Sequence, residues 1–260
     1  MFLPRQKDRH VVVTGASSGI GRAIAVRLAA EGARVSLLAR RKGNLDEVCA
    51  EIGAAGGTAA GFACDVTDAD AVERAFTDAV RTHGPLHGLV AASGVGGPNE
   101  PGAGDRFDLL VQTNLYGTYR TLRAAEARLA DGPGRRDIVV IASILARFGV
   151  PGYTGYCASK AALLGLVKAS ALELAARNVQ VNAICPGWVD TDMAWQGIDG
   201  MAAAMGVTRE KAHEIAMRAV PLGKMSQPHE IAGLVAFLLS EDAGGITGQA
   251  LDQNNGAWMG

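Results

Sequence analysis

A tyrosine and a lysine stand four residues apart, at Tyr156 and Lys160, in a segment whose pattern predicts a helix. Positions i and i+4 of a helix lie on one face, one turn apart. A nearby ammonium favours the phenolate and lowers the tyrosine pKa from its ordinary value of about 10. A phenol adjusted in this way can act as a general acid or base near neutral pH. An ordinary helix surface is the alternative interpretation, because the pattern is common by chance.

Two further polar residues are candidates for a role in catalysis because of their positions in the predicted elements. Ser143 directly follows an apolar run that predicts a strand, and strand ends of this kind point toward the ligand crevice of a parallel sheet. Asn114 lies inside a predicted helix, where asparagine is a poor choice by propensity. The alternatives are a serine that caps a helix and an asparagine that faces solvent.

A glycine-rich segment, Thr14 to Gly21, joins the first predicted strand to the first predicted helix. Glycines permit a sharp turn and a close approach of the backbone to a pyrophosphate, while the helix N-terminus supplies free N–H groups. The spacing is G-x-x-x-G-x-G, and a tight turn without a ligand is the alternative. The residues predicted to bind the cofactor here are Gly15, Ser17, Ser18, Gly19, Ile20 and Gly21.

The end of the second predicted strand bears on the choice of cofactor. An acidic residue there would bind the ribose 2′-hydroxyl of NAD and repel a 2′-phosphate. This chain instead has Arg40 and Arg41, whose guanidinium groups suit a phosphate. The sequence therefore favours NADPH/NADP+ over NADH, unless both arginines are merely solvated loop charges.

Apolar runs alternate with helical patterns along the whole chain and predict the elements that position these residues. Strands are predicted at 10–14, 33–39, 58–64, 87–92, 138–142, 179–185 and 250–251, and helices at 19–30, 44–52, 68–82, 107–129, 153–176 and 228–239. Because the strands lack polar alternation, we expect a parallel sheet with helices on both faces. No linker divides the chain, so residues 1–260 predict a single α/β domain. The Met- and Ala-rich segment at 188–219 predicts a helical lid over the ligand edge.

Composition excludes several other classes of protein. Lys and Arg number 25 against 26 Asp and Glu, so no nucleic-acid partner is expected. No apolar run reaches the roughly 18 residues of a membrane span. The start, Met1 to Lys7, has no leader pattern, and the four cysteines are widely spaced, which predicts reduced thiols in a cytoplasmic protein. The five histidines form no metal-binding set and are expected in loops or on the surface.

Taken together, these motifs resemble the short-chain dehydrogenase/reductase family over nearly the whole chain. The resemblance implies a Rossmann-like fold with a doubly wound seven-stranded parallel sheet in the order 3-2-1-4-5-6-7. It also implies a catalytic tetrad of Asn114, Ser143, Tyr156 and Lys160, with Lys160 holding the nicotinamide ribose. Further cofactor contacts implied by the resemblance are Asp65 to the adenine, together with Val66, Ala92, Ser93, Gly94, Pro186, Gly187, Val189 and Thr191.

One stretch departs from the family pattern. Where the family often has Asn-Asn-Ala-Gly after the fourth strand, this chain has Ala91-Ala92-Ser93-Gly94. The glycine that passes close to the cofactor remains, but the asparagine side chains that tie the central strands together are missing.

Within the family, the chain looks most like 3-oxoacyl-carrier-protein reductases and polyketide ketoreductases. The resemblance implies an NADP(H)-dependent enzyme that reduces a small-molecule ketone, carried as a carrier-protein or CoA thioester. A catabolic dehydrogenase of a small or cyclic secondary alcohol is the alternative, and a non-catalytic nucleotide-binding regulator is a more remote one. Apolar residues run around much of the circumference of the helix at 153–176, and the family pairs this helix across a two-fold axis. The outer residues of the helix at 228–239 could supply a second interface, and two different two-fold interfaces generate a tetramer. We therefore expect a homotetramer, with a homodimer as the alternative.

Overall fold

A seven-stranded parallel sheet in the order β3-β2-β1-β4-β5-β6-β7 forms the centre of the protein. The computed structural model describes residues 5–260, so the first four residues of the segment predicted to lack a leader lie outside the described residues. Each strand pairs in parallel with its neighbours. The order reverses between β1 and β4, and in such sheets ligands bind outside the carboxyl ends of the strands at that point. The predicted fold is therefore confirmed.

The helices and strands lie close to their predicted bounds. The strands are β1 His10–Thr14, β2 Arg34–Ala39, β3 Thr58–Ala63, β4 Gly88–Ala91, β5 Arg136–Ile141, β6 Val179–Pro186 and β7 Ala250–Gln253. The helices are α1 Gly19–Ala30, α2 Lys42–Ala54, α3 Ala69–His83, α4 Phe107–Val111, α5 Gly117–Glu126, α6 Thr154–Leu174, α7 Asp192–Met205, α8 Arg209–Arg218 and α9 Pro228–Leu238. Among residues 5–260, no helix has the length and apolar character that crossing a membrane requires.

The central strands are buried because helices cover both faces of the sheet. Every residue of β1, β4 and β5 is buried, and two large apolar clusters fill the space between the sheet and the helices on either side. The expectation that the strands are buried on both faces is wrong for β3 and β7. These strands lie at the two edges of the sheet, so their residues are half-buried or exposed.

The single long helix predicted at 107–129 is interrupted. A π-helical turn at Gln112–Tyr116 separates α4 from α5, and the helix ends at Glu126. Asn114 is the buried residue of this turn. Wide turns of this kind occur mostly as single bulges in α-helices, often at functional sites.

The segment predicted to be a lid forms two helices with a small core of their own. The side chains of Ile198 and Ala212 in α7 and α8 are fully buried and pack with Met217 and Met225 in a cluster separate from the two main ones. Thr191 begins the first of these helices as its N-cap, with its hydroxyl accepting from the N–H of Ala194. The segment follows the carboxyl end of β6, as predicted.

Two of the five histidines contradict the expectation of surface positions. His10 is fully buried in β1, and its ring nitrogens lie 2.7 Å from the Gly84 carbonyl and 2.8 Å from the Ser36 hydroxyl. His83 is also buried, with its ring 5.3 Å from that of His10. These partners satisfy the hydrogen-bonding capacity of the buried His10 ring. They come from distant parts of the chain, so the apolar run around His10 could not reveal them. Residues 5–260 contain no cluster of metal-ligand side chains.

Candidate active site

The glycine segment forms a turn that only glycine can complete. Gly15 and Gly19 have positive φ angles of 67° and 53°, a conformation that other residues rarely adopt. A Cβ on Gly15 would lie 2.8 Å from the Ala92 carbonyl oxygen, and one on Gly21 would collide with the Gly15 carbonyl. The turn therefore brings the start of α1 against the end of β4.

The first turn of α1 leaves donors available to a ligand. Its N-cap, Ser18, is exposed and makes no side-chain cap, and the first turn contains no acidic residue. The free N–H groups and the helix dipole at this end suit a pyrophosphate. The local structure thus fits the phosphates of a dinucleotide at Ser17 to Gly21.

The stretch that departs from the family pattern is anchored by Thr14. The hydroxyl oxygen of Thr14 accepts hydrogen bonds from the backbone N–H groups of Ala92 and Ser93, both at 3.1 Å. The side chain of β1 thereby ties the end of β4 in place. Backbone donors thus connect the two strands without the asparagine side chains that the family often uses.

Two of the four tetrad residues, Asn114 and Lys160, converge around Gly94. A Cβ on Gly94 would lie 3.2 Å from Oδ1 of Asn114 and 3.5 Å from Nζ of Lys160. Asn114 binds both backbone groups of Val95, the residue after Gly94. Its Oδ1 accepts from the Val95 N–H at 2.8 Å, and its Nδ2 donates to the Val95 carbonyl at 3.0 Å. Its Nδ2 also donates to the Ser159 hydroxyl at 3.1 Å. Any larger side chain at position 94 would displace these groups.

Ser143 and Tyr156 form the other half of the group. Ser143 follows β5, and its hydroxyl accepts from the Leu145 N–H at 3.1 Å. The same hydroxyl lies close enough to the phenol of Tyr156 to act on its pKa. Lys160 lies one turn beyond Tyr156 in α6, with Nζ 5.9 Å from the centroid of the tyrosine ring. The same Nζ donates to the Ile141 carbonyl at 2.8 Å. The structure therefore brings all four predicted residues to one place.

The pKa shifts differ from the sequence expectation. Burial raises the pKa of Tyr156 above its usual value, and the nearby Ser143 hydroxyl opposes that rise. Burial also lowers the pKa of Lys160 to about 8. The predicted lowering of the tyrosine pKa by the ammonium is therefore wrong for this structure, because removing the phenol from water outweighs the other influences.

The residues after β6 border the same crevice. A Cβ on Gly187 would lie 3.0 Å from Cβ of Asn254, so glycine allows the C-terminal segment to pass closely. Thr191 reaches the glycine turn, with its Cγ2 3.1 Å from the place of a Cβ on Gly19. Val189 is buried and bridges to Ser226. These contacts bring the start of the segment at 188–219 against the glycine turn.

The two arginines lie at the other end of the crevice, away from the tetrad. Arg40 and Arg41 are exposed beyond the end of β2, and Arg41 is the N-cap residue of α2. Burial acts to raise the pKa of Asp65, but hydrogen bonds from Thr67 and the positive charge of Arg40 outweigh it and hold that pKa below its usual value. Positive charge thus dominates this end of the site.

Val66 has a packing contact that its predicted role did not include. A Cβ on Gly117 would lie 2.6 Å from Cγ2 of Val66, so the buried valine packs against the start of α5. Only its backbone is then free for a cofactor contact.

Sequence reasoning missed Gly96 as a site residue. A Cβ there would lie 3.0 Å from Sδ of Met193 in α7 and 3.8 Å from Cε2 of Tyr156. Gly96 therefore leaves a narrow space between the lid helix and the tyrosine ring. The only sequence signal is the close spacing of Gly94, Gly96 and Gly97, which is also typical of a plain loop.

Comparison with known proteins agrees with this geometry. A family model described as "Enoyl-(Acyl carrier protein) reductase" matches residues 15–257. The 3-oxoacyl-[acyl-carrier-protein] reductase MabA of Mycobacterium tuberculosis is 34% identical, over 97% of this chain and 94% of its own length.

Solved structures agree as well. A variant of actinorhodin polyketide ketoreductase, crystallised with NADPH, superposes with a TM-score of 0.90 at 35% identity and covers 99% of each chain. A dehydrogenase/reductase of Sinorhizobium meliloti gives a TM-score of 0.87 at 35% identity, over 98% of this chain and 97% of the other. The chain therefore belongs to the short-chain dehydrogenase/reductase family. It is an oxidoreductase of the class that acts on CH–OH and C=O groups.

Proposed function

We propose that this protein is an NADPH-dependent ketoreductase that reduces 3-oxoacyl or polyketide-type ketones. The observation that carries the proposal is the convergence of Ser143, Tyr156 and Lys160 at the carboxyl edge of the sheet. The names of the relatives support the substrate class, since MabA is named as a 3-oxoacyl-[acyl-carrier-protein] reductase and the actinorhodin enzyme as a polyketide ketoreductase.

The side chains have distinct roles in the proposed reaction. NADPH, when bound, supplies the hydride that reduces the carbonyl carbon. Tyr156 donates its phenolic proton to the carbonyl oxygen as that oxygen gains charge. The Ser143 hydroxyl, which lies beside the phenol, donates to the same oxygen and stabilises its developing charge.

Lys160 and Asn114 support this proton transfer without contacting the carbonyl group. The Lys160 ammonium is buried beside the tyrosine ring and is positioned to hold the nicotinamide ribose. With a pKa of about 8, it can also pass a proton toward the phenolate that forms. Asn114 holds the Val95 backbone and lies next to Nζ, which keeps the path between them polar. We propose that a water ordered by Asn114 links Lys160 to solvent.

The preference for NADPH follows from the charge at the end of β2. Arg40 and Arg41 are exposed there and form no ion pair with the other described residues, and no carboxylate occupies the end of the strand. Their guanidinium groups can bind a 2′-phosphate. Asp65, held ionised by Thr67 and Arg40, is suited to the exocyclic amine of the adenine.

The remaining predicted cofactor contacts complete the site. Pro186, Gly187, Val189 and Thr191 flank the nicotinamide end, with Ala92, Ser93 and the backbone of Val66 along the ribose and adenine. The segment from Trp188 to Ala219 closes over the substrate. A homotetramer in the cytoplasm remains our expectation for the assembled enzyme.

Consumption of NADPH with a panel of substrates tests the proposal. The panel contains a 3-oxoacyl-CoA thioester, a cyclic ketone, an aryl ketone and a 2-enoyl-CoA thioester. Turnover of the oxoacyl thioester or the bulky ketones is expected, with none of the enoyl thioester. Reduction of the enoyl thioester alone would contradict the proposed reaction, and exclusive oxidation of a small secondary alcohol with NAD would favour the catabolic alternative.

A further inference from the structure

We propose that Asn99 is a positioning residue that holds the helices carrying Asn114 and Tyr156 in a fixed relation. The proposal rests on the proposed function, because it concerns the geometry of that same reaction. Asn99 lies in the loop between β4 and α4, is only 6% exposed, and is not one of the predicted site residues.

Asn99 caps the helix that carries the proton donor. Helix α6 begins at Thr154, and its own N-cap residue, Tyr153, makes no side-chain cap. Oδ1 of Asn99 instead accepts from the N–H of Gly155 at 2.8 Å. The donor satisfied in this way directly precedes Tyr156, which shares its turn of helix. The cap thus comes from a loop more than fifty residues earlier in the chain.

The other end of the same amide reaches the helix that leads to Asn114. Nδ2 of Asn99 donates to Oδ1 of Asp105 at 3.1 Å, and that oxygen also accepts from the N–H of Phe107 at 2.9 Å. Phe107 is the first residue of α4, whose formal N-cap, Arg106, makes no side-chain cap. A chain of hydrogen bonds therefore runs from the start of one helix to the start of the other.

Close packing makes this connection sensitive to small movements. A Cβ on Gly155 would lie 3.1 Å from Cα of Phe107 and 3.1 Å from Cδ1 of Leu110. The backbone of α6 at Gly155 therefore packs directly against α4. The backbone N–H of Asn99 also donates to the Gly152 carbonyl at 2.8 Å, which fixes the loop itself. Loss of the amide leaves the Gly155 N–H unsatisfied at this contact, and α6 must shift or fray to find a new partner.

The catalytic consequence follows from the position of Tyr156. The phenol must stay beside Ser143, which follows β5, while Asn99 holds the start of its helix. A displacement of about 1 Å at a reacting group can lower turnover by about a hundredfold. We therefore expect Asn99→Ala to lower kcat by at least tenfold, with little change in the Kd for NADPH, because the glycine turn and the arginines lie elsewhere.

A swap of the two side chains tests the proposal. Asn99→Asp keeps an acceptor for the Gly155 N–H but sets a carboxylate against that of Asp105, so kcat should fall. Adding Asp105→Asn removes the second carboxylate, and the amide at position 105 can turn its Nδ2 to the carboxylate at position 99. The double variant should recover kcat to within threefold of the wild type. A double variant no better than Asn99→Asp alone would overturn the proposal.

The matched control removes a cap from a helix without tetrad residues. Asp68 is the N-cap of α3, and its Oδ1 accepts from the N–H groups of Asp70 and Ala71. Asp68→Ala should lower the melting temperature and leave kcat unchanged. If Asn99→Ala lowers kcat no more than Asp68→Ala does, Asn99 has only a structural role.

A measurement independent of turnover separates this inference from the proposed function. Amide hydrogen exchange over residues 154–160 should accelerate in Asn99→Ala and return to the wild-type rate in the double variant. The pH profile of kcat should shift in the single variants alone, because the surroundings of Tyr156 change. If the wild type reduces no ketone, the proposed function fails, while unchanged exchange at 154–160 refutes the capping role itself. Should Asn99→Ala not fold, Asn99→Asp and the double variant carry the same test.

Discussion

Removal of Arg40 gives the sharpest test of how the protein selects its cofactor. Arg40 is exposed beyond β2 and its charge reaches Asp65, so it borders the place where a ribose 2′-phosphate would lie. A hydrogen bond to a charged group contributes about 1.5–3 kcal/mol. Because Arg40 is solvent-exposed, the lower end applies, and about 1.4 kcal/mol corresponds to tenfold in affinity. Arg40→Ala should therefore weaken NADPH binding about tenfold.

The informative quantity is the ratio of the Kd values for NADPH and NADH. NADH lacks the 2′-phosphate, whereas the expected adenine contact of Asp65 is common to both cofactors and cancels in the ratio. Nicotinamide fluorescence titrations with each cofactor provide the two constants. Raising the salt concentration should reduce the preference of the wild type, since exposed charges are screened within about 10 Å at 0.1 M.

Arg81 supplies the matched control for this experiment. It is an exposed arginine in the last turn of α3, paired with Asp78. Arg81→Ala removes the same net charge and should leave the ratio unchanged. Equal weakening of both cofactors by Arg40→Ala, or a wild type that prefers NADH, would refute the assignment of Arg40 to the phosphate.

Four other predictions concern turnover, stability, the lid and assembly. Tyr156→Phe should keep the fold and NADPH binding while kcat falls by about 10²–10⁴, and near-normal kcat would remove the phenol from its role. Burial lowers the pKa of His10 to about 4, whereas in the unfolded chain this pKa is about 6.5. The unfolded state therefore binds a proton first as the pH falls, and the free energy of unfolding should decrease by about 3 kcal/mol between pH 6.5 and pH 4. The free energy of unfolding, measured by denaturation, should depend less steeply on pH in His10→Asn than in the wild type. The substitution of the exposed His229 by Asn should leave this dependence unchanged. Hydrogen exchange in Trp188–Ala219 should slow when NADPH and ketone are added together, and unchanged rates would argue against a lid. Light scattering after size exclusion should give four times the 26.8 kDa chain mass. The mass of a monomer would contradict the interface inferred from the apolar residues of α6.

The sequence by itself determined the order of elements and the class of protein. Buried strands of a parallel sheet are continuous apolar runs, so their positions can be identified from local composition alone. The residues Ser143, Tyr156 and Lys160 could be found because each stands at a strand end or one helical turn from a partner. The glycine turn could be found because Gly15 and Gly19 adopt backbone conformations that other residues avoid.

Contacts between distant segments decided the rest. The pKa of Tyr156 rises because of burial, which no four-residue spacing can reveal. Thr14 takes over the anchoring of Ala92 and Ser93, and only the pairing of β1 with β4 brings these residues together.

The cap on α6 depends on tertiary structure in the same way. Asn99 carries no local signal, because an asparagine in a glycine-rich loop is common in turns. Its partner, the Gly155 N–H, is more than fifty residues away, and the contact exists only after α4 packs against α6. Local sequence encodes which side chains can do chemistry, whereas the distances at which they act arise from packing between segments that the sequence does not pair.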